Sequence, residues 1–219
     1  MAEQKINFYT KFSELIITIN QISNKWDWRP NPGNWGDALI NEGTKRWLDD
    51  NNVNYTQVDI NNLGTGEYLL CGGGGGWCKT FNRTFDVVKQ AAKRYKHIFV
   101  LPSSFDLPQI QTLPTNITYI SRDYFSQKFL SSLRINSIFC WDMALYLTKY
   151  IHEYHQNIET SKDKLICLRT VKGKHPDAFE VKNNKDVSSL GTHLTPIDGL
   201  VQLVQEYHTV VTDRMHIAL

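Results

Sequence analysis

Five consecutive glycines, residues 72–76, directly follow the short apolar run 68–71. Glycine loses more conformational freedom on folding than any other residue, so such a run is hard to explain unless backbone or a ligand approaches closely there. A strand that ends in a glycine-rich loop is typical of α/β proteins, in which ligands bind at the carboxyl ends of parallel strands. We therefore predict a binding loop at Gly73, Gly74 and Gly75, with a flexible surface loop as the alternative.

Short apolar runs rich in β-branched residues recur along the rest of the chain, each followed by a turn signal and a helical stretch. This is the pattern of βα units and of a parallel sheet. It predicts strands at 68–71, 97–101, 117–121, 137–140, 165–168 and 209–212, and helices at 37–50, 81–95, 142–154 and 196–207.

Polar residues crowd the segment 152–164, which predicts a linker between two α/β lobes. Residues 1–151 would form an N-terminal Rossmann-like lobe with the glycine-rich loops, and 165–219 a partial C-terminal lobe. The polar stretch 171–189 predicts a long loop. The sequence stops where a helix should follow the last strand, so we expect a truncated second lobe that exposes apolar side chains near Leu203, Val210 and Ile217.

The composition argues against several classes of protein. A net charge of +2 with dispersed basic residues predicts no nucleic-acid partner. The first residues lack a basic segment leading into an apolar core, and the apolar run 15–19 is too short to cross a bilayer, so we expect a cytoplasmic protein. The cysteines lack zinc-type spacing and are expected to be free thiols, mostly buried: Cys71, Cys78, Cys140 and Cys167.

The segment 31–37 combines glycines, asparagines and an aspartate just before an amphipathic stretch. Gly33 and Gly36 allow a tight turn around Asn34, and Asp37 can cap the helix whose N-terminal N–H groups then face the loop. A helix N-terminus behind a glycine-rich loop is an anion-binding site, so these four residues are predicted to bind substrate. A plain turn with a helix cap explains the same residues.

Polar side chains also follow two of the predicted strands. Ser103 and Ser104 come after the strand 97–101, and Arg122 follows the strand 117–121. Because ligands of open parallel sheets bind at the carboxyl ends of the strands, these side chains are predicted to line one cleft. The alternative for Arg122 is a salt bridge to Asp123 or to another neighbouring carboxylate.

Two strand ends in the second half carry residues suited to anion binding and proton transfer. Arg169 follows the strand 165–168, and Arg214 and His216 follow the strand 209–212. Arginine holds phosphate or carboxylate through a planar fork, and histidine exchanges protons near neutral pH. Arg-x-His at a strand end therefore predicts a site for an anionic substrate with acid–base chemistry.

Taken in order, these segments resemble the polysaccharide pyruvyl transferase family. The matching pieces are Pro-Gly-Asn-Trp-Gly-Asp-Ala-Leu-Ile at 32–40, the glycine run at 72–76, Leu-Pro-Ser-Ser at 101–104, Arg-Asp-x-x-Ser at 122–126, Asp-x-Ala-Leu at 142–145 and Thr-x-Arg-x-His at 212–216. They span nearly the whole chain. The resemblance implies two Rossmann-like lobes of the glycosyltransferase B type, with the site in the cleft between them.

The resemblance also implies an activity, the transfer of a pyruvyl group from phosphoenolpyruvate to two sugar hydroxyls with formation of a cyclic ketal. Arg214 and His216 match the family's functional Arg-x-His pair, and Arg169 is placed at the corresponding strand end. His216 would act as acid or base while both arginines hold the donor, without a metal or a cofactor. The acceptor would be a sugar or a lipid-linked glycan of exopolysaccharide or cell-surface synthesis, which would bring the protein to the membrane surface. A homo-oligomer is a further expectation.

Two other functions are compatible with the same sequence features. A glycosyltransferase that uses a nucleotide sugar has the same two-lobe fold and similar glycine loops, and fold alone does not settle function. A non-catalytic protein that binds a phosphosugar or a glycan is the second alternative, given the apparent truncation.

Overall fold

The computed structural model describes residues 8–59, 64–154, 158–170 and 180–218. The strands, in chain order, are β1 (Lys25–Arg29), β2 (Asn54–Gln57), β3 (Gly66–Cys71), β4 (Gly74–Trp77), β5 (Tyr95–Phe105), β6 (Ile117–Ser121), β7 (Ser137–Phe139), β8 (Lys162–Cys167) and β9 (Tyr207–Thr212).

The helices alternate with these strands. They are α1 (Phe8–Asn20), α2 (Trp35–Asp50), α3 (Arg83–Ala91), α4 (Tyr124–Ser132), α5 (Ile151–Tyr154), α6 (Asp198–Gln205) and α7 (Met215–Ala218), with 3₁₀ helices at Pro108–Thr112, Met143–Tyr150 and Val187–Leu190. No helix in the described ranges is both long enough and apolar enough to cross a membrane.

Among the described residues, a seven-stranded sheet has the order β2-β1-β3-β5-β6-β7, with β4 paired to β5 outside this row. Every ladder in it is parallel. Parallel neighbours need crossover connections, which the helices supply. The predicted α/β fold with parallel strands is therefore confirmed.

Both faces of the large sheet are buried, and successive side chains along a strand point to opposite faces. In β5, Phe99 and Leu101 pack into the apolar cluster that includes α1 and α2, whereas Ile98 and Val100 pack into the cluster that includes α3 and α4. The continuous apolar run in this strand is thus explained by helices on both sides.

A separate parallel pair, β8 and β9, forms a two-stranded sheet in the described part of the chain. Its apolar side chains pack in a third cluster with Trp35 and Ala38 of α2 and with Leu200 of α6. The described part of the predicted linker 152–164 includes the end of α5 and the start of β8. The division into two lobes remains a prediction.

Three predicted boundaries are corrected by the structure. Helix α2 begins at Trp35, two residues before the predicted start, and Asn34 is its N-cap in place of Asp37. Strand β5 continues to Phe105, so Ser103 and Ser104 lie within a strand and not after it. Part of the glycine run forms β4, because its backbone pairs with β5. Gly74, the first residue of β4, adopts a φ of 114°.

The expectation of exposed apolar side chains in the second half is wrong for Ile217. That side chain is buried in the third apolar cluster, and Leu203 and Val210 are half-buried against it. In the predicted loop 171–189, residues 171–179 lie outside the described ranges. The cysteines are free: Cys71, Cys140 and Cys167 are buried and Cys78 is half-buried.

Candidate active site

The strand order of the large sheet changes direction at β1, which pairs with β2 on one side and with β3 on the other. Such a switch in strand order is where open parallel sheets bind ligands. The loop after β1 and the glycine run after β3 meet there, and the Gly72 N–H donates to the Arg29 carbonyl at 2.7 Å. A cavity of ≈ 440 Å³ is lined by residues of both loops and by residues that follow β6, β8 and β9.

The first turn of α2 forms one wall of this cavity. The Asn34 side chain caps the helix, accepting a hydrogen bond from the Gly36 N–H at 2.8 Å, and Asp37 accepts from the Asn34 N–H at 2.8 Å. Asp37 also accepts from Asn31 Nδ2 at 2.6 Å. Burial raises the pKa of Asp37, although the hydrogen bond from Asn34 favours the ionised form. The loop is thereby held rigidly at the helix N-terminus.

Gly36 allows the imidazole of His216 to approach this wall. A Cβ atom at position 36 would lie 2.9 Å from His216 Nδ1 and 3.1 Å from Asn34 Oδ1. Real side chains do not pack that closely, so only glycine fits between these two groups. The close approach of the imidazole accounts for glycine at position 36. An unusual backbone conformation does not, since Gly36 lies within helix α2.

Asp142 connects His216 to Arg122. Arg122 Nη1 donates to Asp142 Oδ2 at 2.6 Å, and His216 Nε2 lies 3.4 Å from the same oxygen. Arg122 Nε donates to Ser104 Oγ at 2.9 Å, which fixes the guanidinium on its other side. The predicted salt bridge of Arg122 to a neighbouring carboxylate is therefore present, and the carboxylate is that of Asp142.

The carboxylate of Asp142 is buried, and burial alone would raise its pKa. The contact with His216 and the charge of Arg122 outweigh burial and hold the pKa of Asp142 below its ordinary value. Its other oxygen, Oδ1, accepts from the Ala144 N–H at 2.9 Å at the start of a 3₁₀ helix. Asp142 thus stays ionised in the neutral range and can orient the imidazole.

Arg214 is buried and bonded through its fork to Asp186. Its Nε donates to Asp186 Oδ1 at 2.9 Å, and Nη2 donates to Oδ2 of the same carboxylate. Thr170 donates to this carboxylate through its N–H at 2.9 Å and through Oγ1 at 3.1 Å. Burial would raise the pKa of Asp186, but the bond from Arg214 lowers it. The pair fixes the turn that carries His216.

Arg169 lines the same cavity and is half-buried. Its Cζ lies 5.9 Å from the centroid of the Phe81 ring. Burial lowers the pKa of Arg169, and the nearby positive charge of Arg214 lowers it further. Arg169 and Arg214 therefore place two guanidinium groups near each other in the lining of the cavity.

The structure brings most of the predicted site residues together around this cavity. Those that line it are Gly33, Asn34, Gly36, Asp37, Gly75, Arg122, Arg169, Arg214 and His216. The other four are not among its lining residues. Gly73 and Gly74 are buried, Ser103 donates to the Leu101 carbonyl, and Ser104 bonds Arg122 and Asp123. Binding of substrate by any of these residues remains a prediction.

Residues that were not predicted also contribute to the site. Asp142 follows the strand 137–140, so the rule that chemistry lies at strand ends could have identified it. Asp186 carries no such signal, because it lies in a polar stretch far from any predicted strand. The N-terminal end of α3 adds Asn82, Arg83 and Thr84 to the lining, together with Thr80 and Phe81.

Comparison with known proteins gives a family and a fold. A family model described as polysaccharide pyruvyl transferase matches residues 34–219. That range begins at Asn34, the N-cap of α2, and contains the glycine run and the turn with His216. No curated protein matched the sequence.

A similar fold occurs in the crystal structure of a protein from Klebsiella pneumoniae subsp. pneumoniae NTUH-K2044, which is described as functionally uncharacterized. The two structures align with a TM-score of 0.78 and 22% sequence identity, over 97% of this chain and 84% of the other. At this identity the likeness supports the fold alone.

Proposed function

This chain belongs to the polysaccharide pyruvyl transferase family, and on that premise we propose that it transfers a pyruvyl group from phosphoenolpyruvate to two hydroxyls of a sugar. The product is a cyclic ketal that adds a carboxylate to a glycan. The observation that carries this proposal is the placement of His216 beside an ionised Asp142 in a cavity that also contains arginines.

The proposed reaction needs a proton donor and a proton acceptor. Protonation of the methylene carbon of phosphoenolpyruvate makes the adjacent carbon electrophilic, a sugar hydroxyl adds there, and the carbon–oxygen bond to phosphate breaks. The second hydroxyl then closes the ketal. The two sugar hydroxyls lose one proton each. Overall, one proton is gained by the methylene carbon, which becomes a methyl group, and one by the released phosphate.

We assign the proton transfers to His216, because it is the histidine that lines the cavity in the described ranges. The carboxylate of Asp142 orients the imidazole, and the bond to Arg122 keeps that carboxylate in place. Asp142 thus acts through His216 as a positioning residue.

Donor binding is assigned to Arg169, and Arg214 is given a different role. Both Nε and Nη2 of Arg214 are engaged by Asp186, so a forked contact with the donor would have to replace that buried pair. Arg169 and the N-terminal end of α3 offer positive charge and N–H groups to a phosphate or a carboxylate. We propose no metal and no cofactor in this scheme.

The remaining expectations form part of the same proposal. The large sheet and the pair β8–β9 would be two Rossmann-like lobes of the glycosyltransferase B type, with the cavity between them. The protein would act in the cytoplasm on a sugar or on a lipid-linked glycan at the membrane surface, in exopolysaccharide or cell-surface synthesis.

The proposal is tested by incubating the protein with phosphoenolpyruvate and galactosyl, mannosyl or N-acetylmannosaminyl acceptors. We expect acceptor-dependent release of phosphate and a new methyl signal of the ketal in the NMR spectrum. Consumption of a nucleotide sugar in place of phosphoenolpyruvate would indicate the glycosyltransferase alternative. Binding of either compound without turnover in any mixture would favour a binding protein.

A further inference from the structure

A second cavity, of ≈ 470 Å³, adjoins the candidate site. Two of its lining residues are bonded directly to the loop that lines the first cavity. Asn41 exchanges hydrogen bonds with the backbone of Asn31 at 2.8 and 2.9 Å, and the His193 N–H donates to the Gly33 carbonyl at 3.0 Å. The two cavities therefore share a wall formed by the loop after β1.

Two buried polar atoms of the residues lining this second cavity lack a hydrogen-bond partner in the part of the chain that the structure describes. They are Nε1 of Trp28, a residue that is only 3% exposed, and Nε2 of His193. Buried polar groups are bonded in nearly all folded proteins, because an unmade bond forfeits the solvation that was lost. A ligand with hydroxyl groups could serve both atoms, since a hydroxyl both donates and accepts.

The charges around the second cavity are balanced. Glu42 and Asp198 are acidic, Lys45 and Arg46 are basic, and Arg46 donates to Glu42 at 3.0 Å. Such a set gives no net attraction for an anion or a cation, but its oxygens and N–H groups can still bond hydroxyls. The lining also includes the polar side chains of Asn41, Gln57 and Thr195.

We propose that this second cavity binds a neutral sugar unit of the acceptor glycan, next to the unit that is modified in the first cavity. The inference rests on the proposed function, because it takes the acceptor to be a glycan longer than one sugar. The volume falls within the range of about 300–1,000 Å³ that is usual for small-molecule sites. The Trp28 indole N–H would donate one hydrogen bond to a sugar hydroxyl, and His193 Nε2 would donate or accept another.

The test uses Trp28→Phe, which removes the indole N–H and keeps an aromatic ring. Trp77→Phe is the matched control, because Trp77 is also buried with an unpartnered Nε1 but lines neither cavity. Gln57→Ala is a second variant. Gln57 lines the second cavity and is exposed, so its replacement should not impair folding. Lactose and mannobiose are the probes, and binding is followed by saturation-transfer NMR with phosphoenolpyruvate present throughout.

We expect at least one disaccharide to bind the parent and Trp77→Phe equally, and to bind Trp28→Phe and Gln57→Ala about 3- to 10-fold more weakly, the loss of one hydrogen bond. Equal binding to Trp28→Phe and Trp77→Phe, or no binding of either probe, would overturn the inference. Phosphoenolpyruvate binding is measured separately by calorimetry. Its absence beside normal disaccharide binding would refute the proposed donor, whereas donor binding without disaccharide binding would refute only this second site.

Discussion

Oδ2 of Asp142 lies 2.6 Å from Arg122 Nη1 and 3.4 Å from His216 Nε2, so one carboxylate oxygen faces both a guanidinium and an imidazole. Arg122 keeps its charge at every pH used for proteins, whereas an imidazole can gain or lose a proton. The permanent pair with Arg122 therefore holds the carboxylate in position whatever the state of His216.

Replacing Asp142 with Asn should lower turnover about 10- to 100-fold, because His216 Nε2 loses the charged partner that orients it. Steady-state kinetics measure this effect. Normal turnover would show that Asp142 acts only as a helix cap and salt-bridge partner.

Acid should destabilise the protein through Asp142 and Asp186. The folded-state pKa of each lies below the ordinary value of 3.8, so the stability that they contribute is present above that value and is lost as pH falls through the lowered pKa. Urea unfolding near neutral pH and at about pH 3 measures this loss. Asp142→Asn should lose less stability on acidification than the parent, and an equal loss in both proteins would contradict the assignment.

Replacing His216 with Ala should lower turnover by roughly 100-fold or more, as expected for an acid–base group. The melting temperature should change little, since the contact of Nε2 with Asp142 is long, at 3.4 Å. His208→Ala is the matched control, because His208 is exposed on β9 outside the cavity. Equal turnover of the two variants would assign His216 to structure.

Arg214→Lys keeps the positive charge but removes the fork that bonds Asp186. We expect the free energy of unfolding to fall by roughly 1–3 kcal/mol, because the buried carboxylate loses one of its partners. Urea titration measures the stability, and calorimetry with phosphoenolpyruvate measures donor affinity. Arg169→Lys is the comparison: it should weaken donor binding with little change in stability. If Arg214→Lys weakened donor binding and Arg169→Lys did not, the donor contact would be assigned to Arg214.

Gly36→Ala should lower turnover about 10- to 100-fold by displacing His216, whose Nδ1 would lie 2.9 Å from the new Cβ atom. The helix itself should tolerate or gain from alanine. Gly64→Ala is the control, because a Cβ atom there meets nothing within 4 Å and the residue lines neither cavity. Steady-state kinetics and thermal unfolding of both variants distinguish local displacement from loss of folding, and equal activity would contradict the close approach.

Local patterns predicted much of the sheet. The β-branched run 117–121 coincides with β6, and the glycine run follows β3 as expected. The strand β1 escaped prediction because lysine, aspartate and arginine alternate with its two buried tryptophans, which gives little apolar signal over five residues. Strand β4 escaped because glycine has no β-propensity, and only pairing with β5 makes it extended.

The sequence predicted only some of the residues that form the candidate site. Strand-end positions identified Arg122, Arg169 and His216, because the topology of parallel sheets brings such positions together. Asp142 also follows a predicted strand, but its contact with His216 joins residues 74 apart in the chain. Asp186 lies 28 residues from Arg214 and carries no strand-end signal. The burial of Arg214 likewise follows from tertiary packing.

Helix α2 contributes to two apolar clusters at once. Trp35 and Ala38 pack with β8, β9 and α6, whereas Ile40 and Trp47 pack against the large sheet. The Trp35 indole also donates to the Pro196 carbonyl at 3.0 Å. Separating the two sheets would therefore expose one end of α2 and loosen the cavity wall at the same time, which couples the integrity of the candidate site to the cooperativity of unfolding.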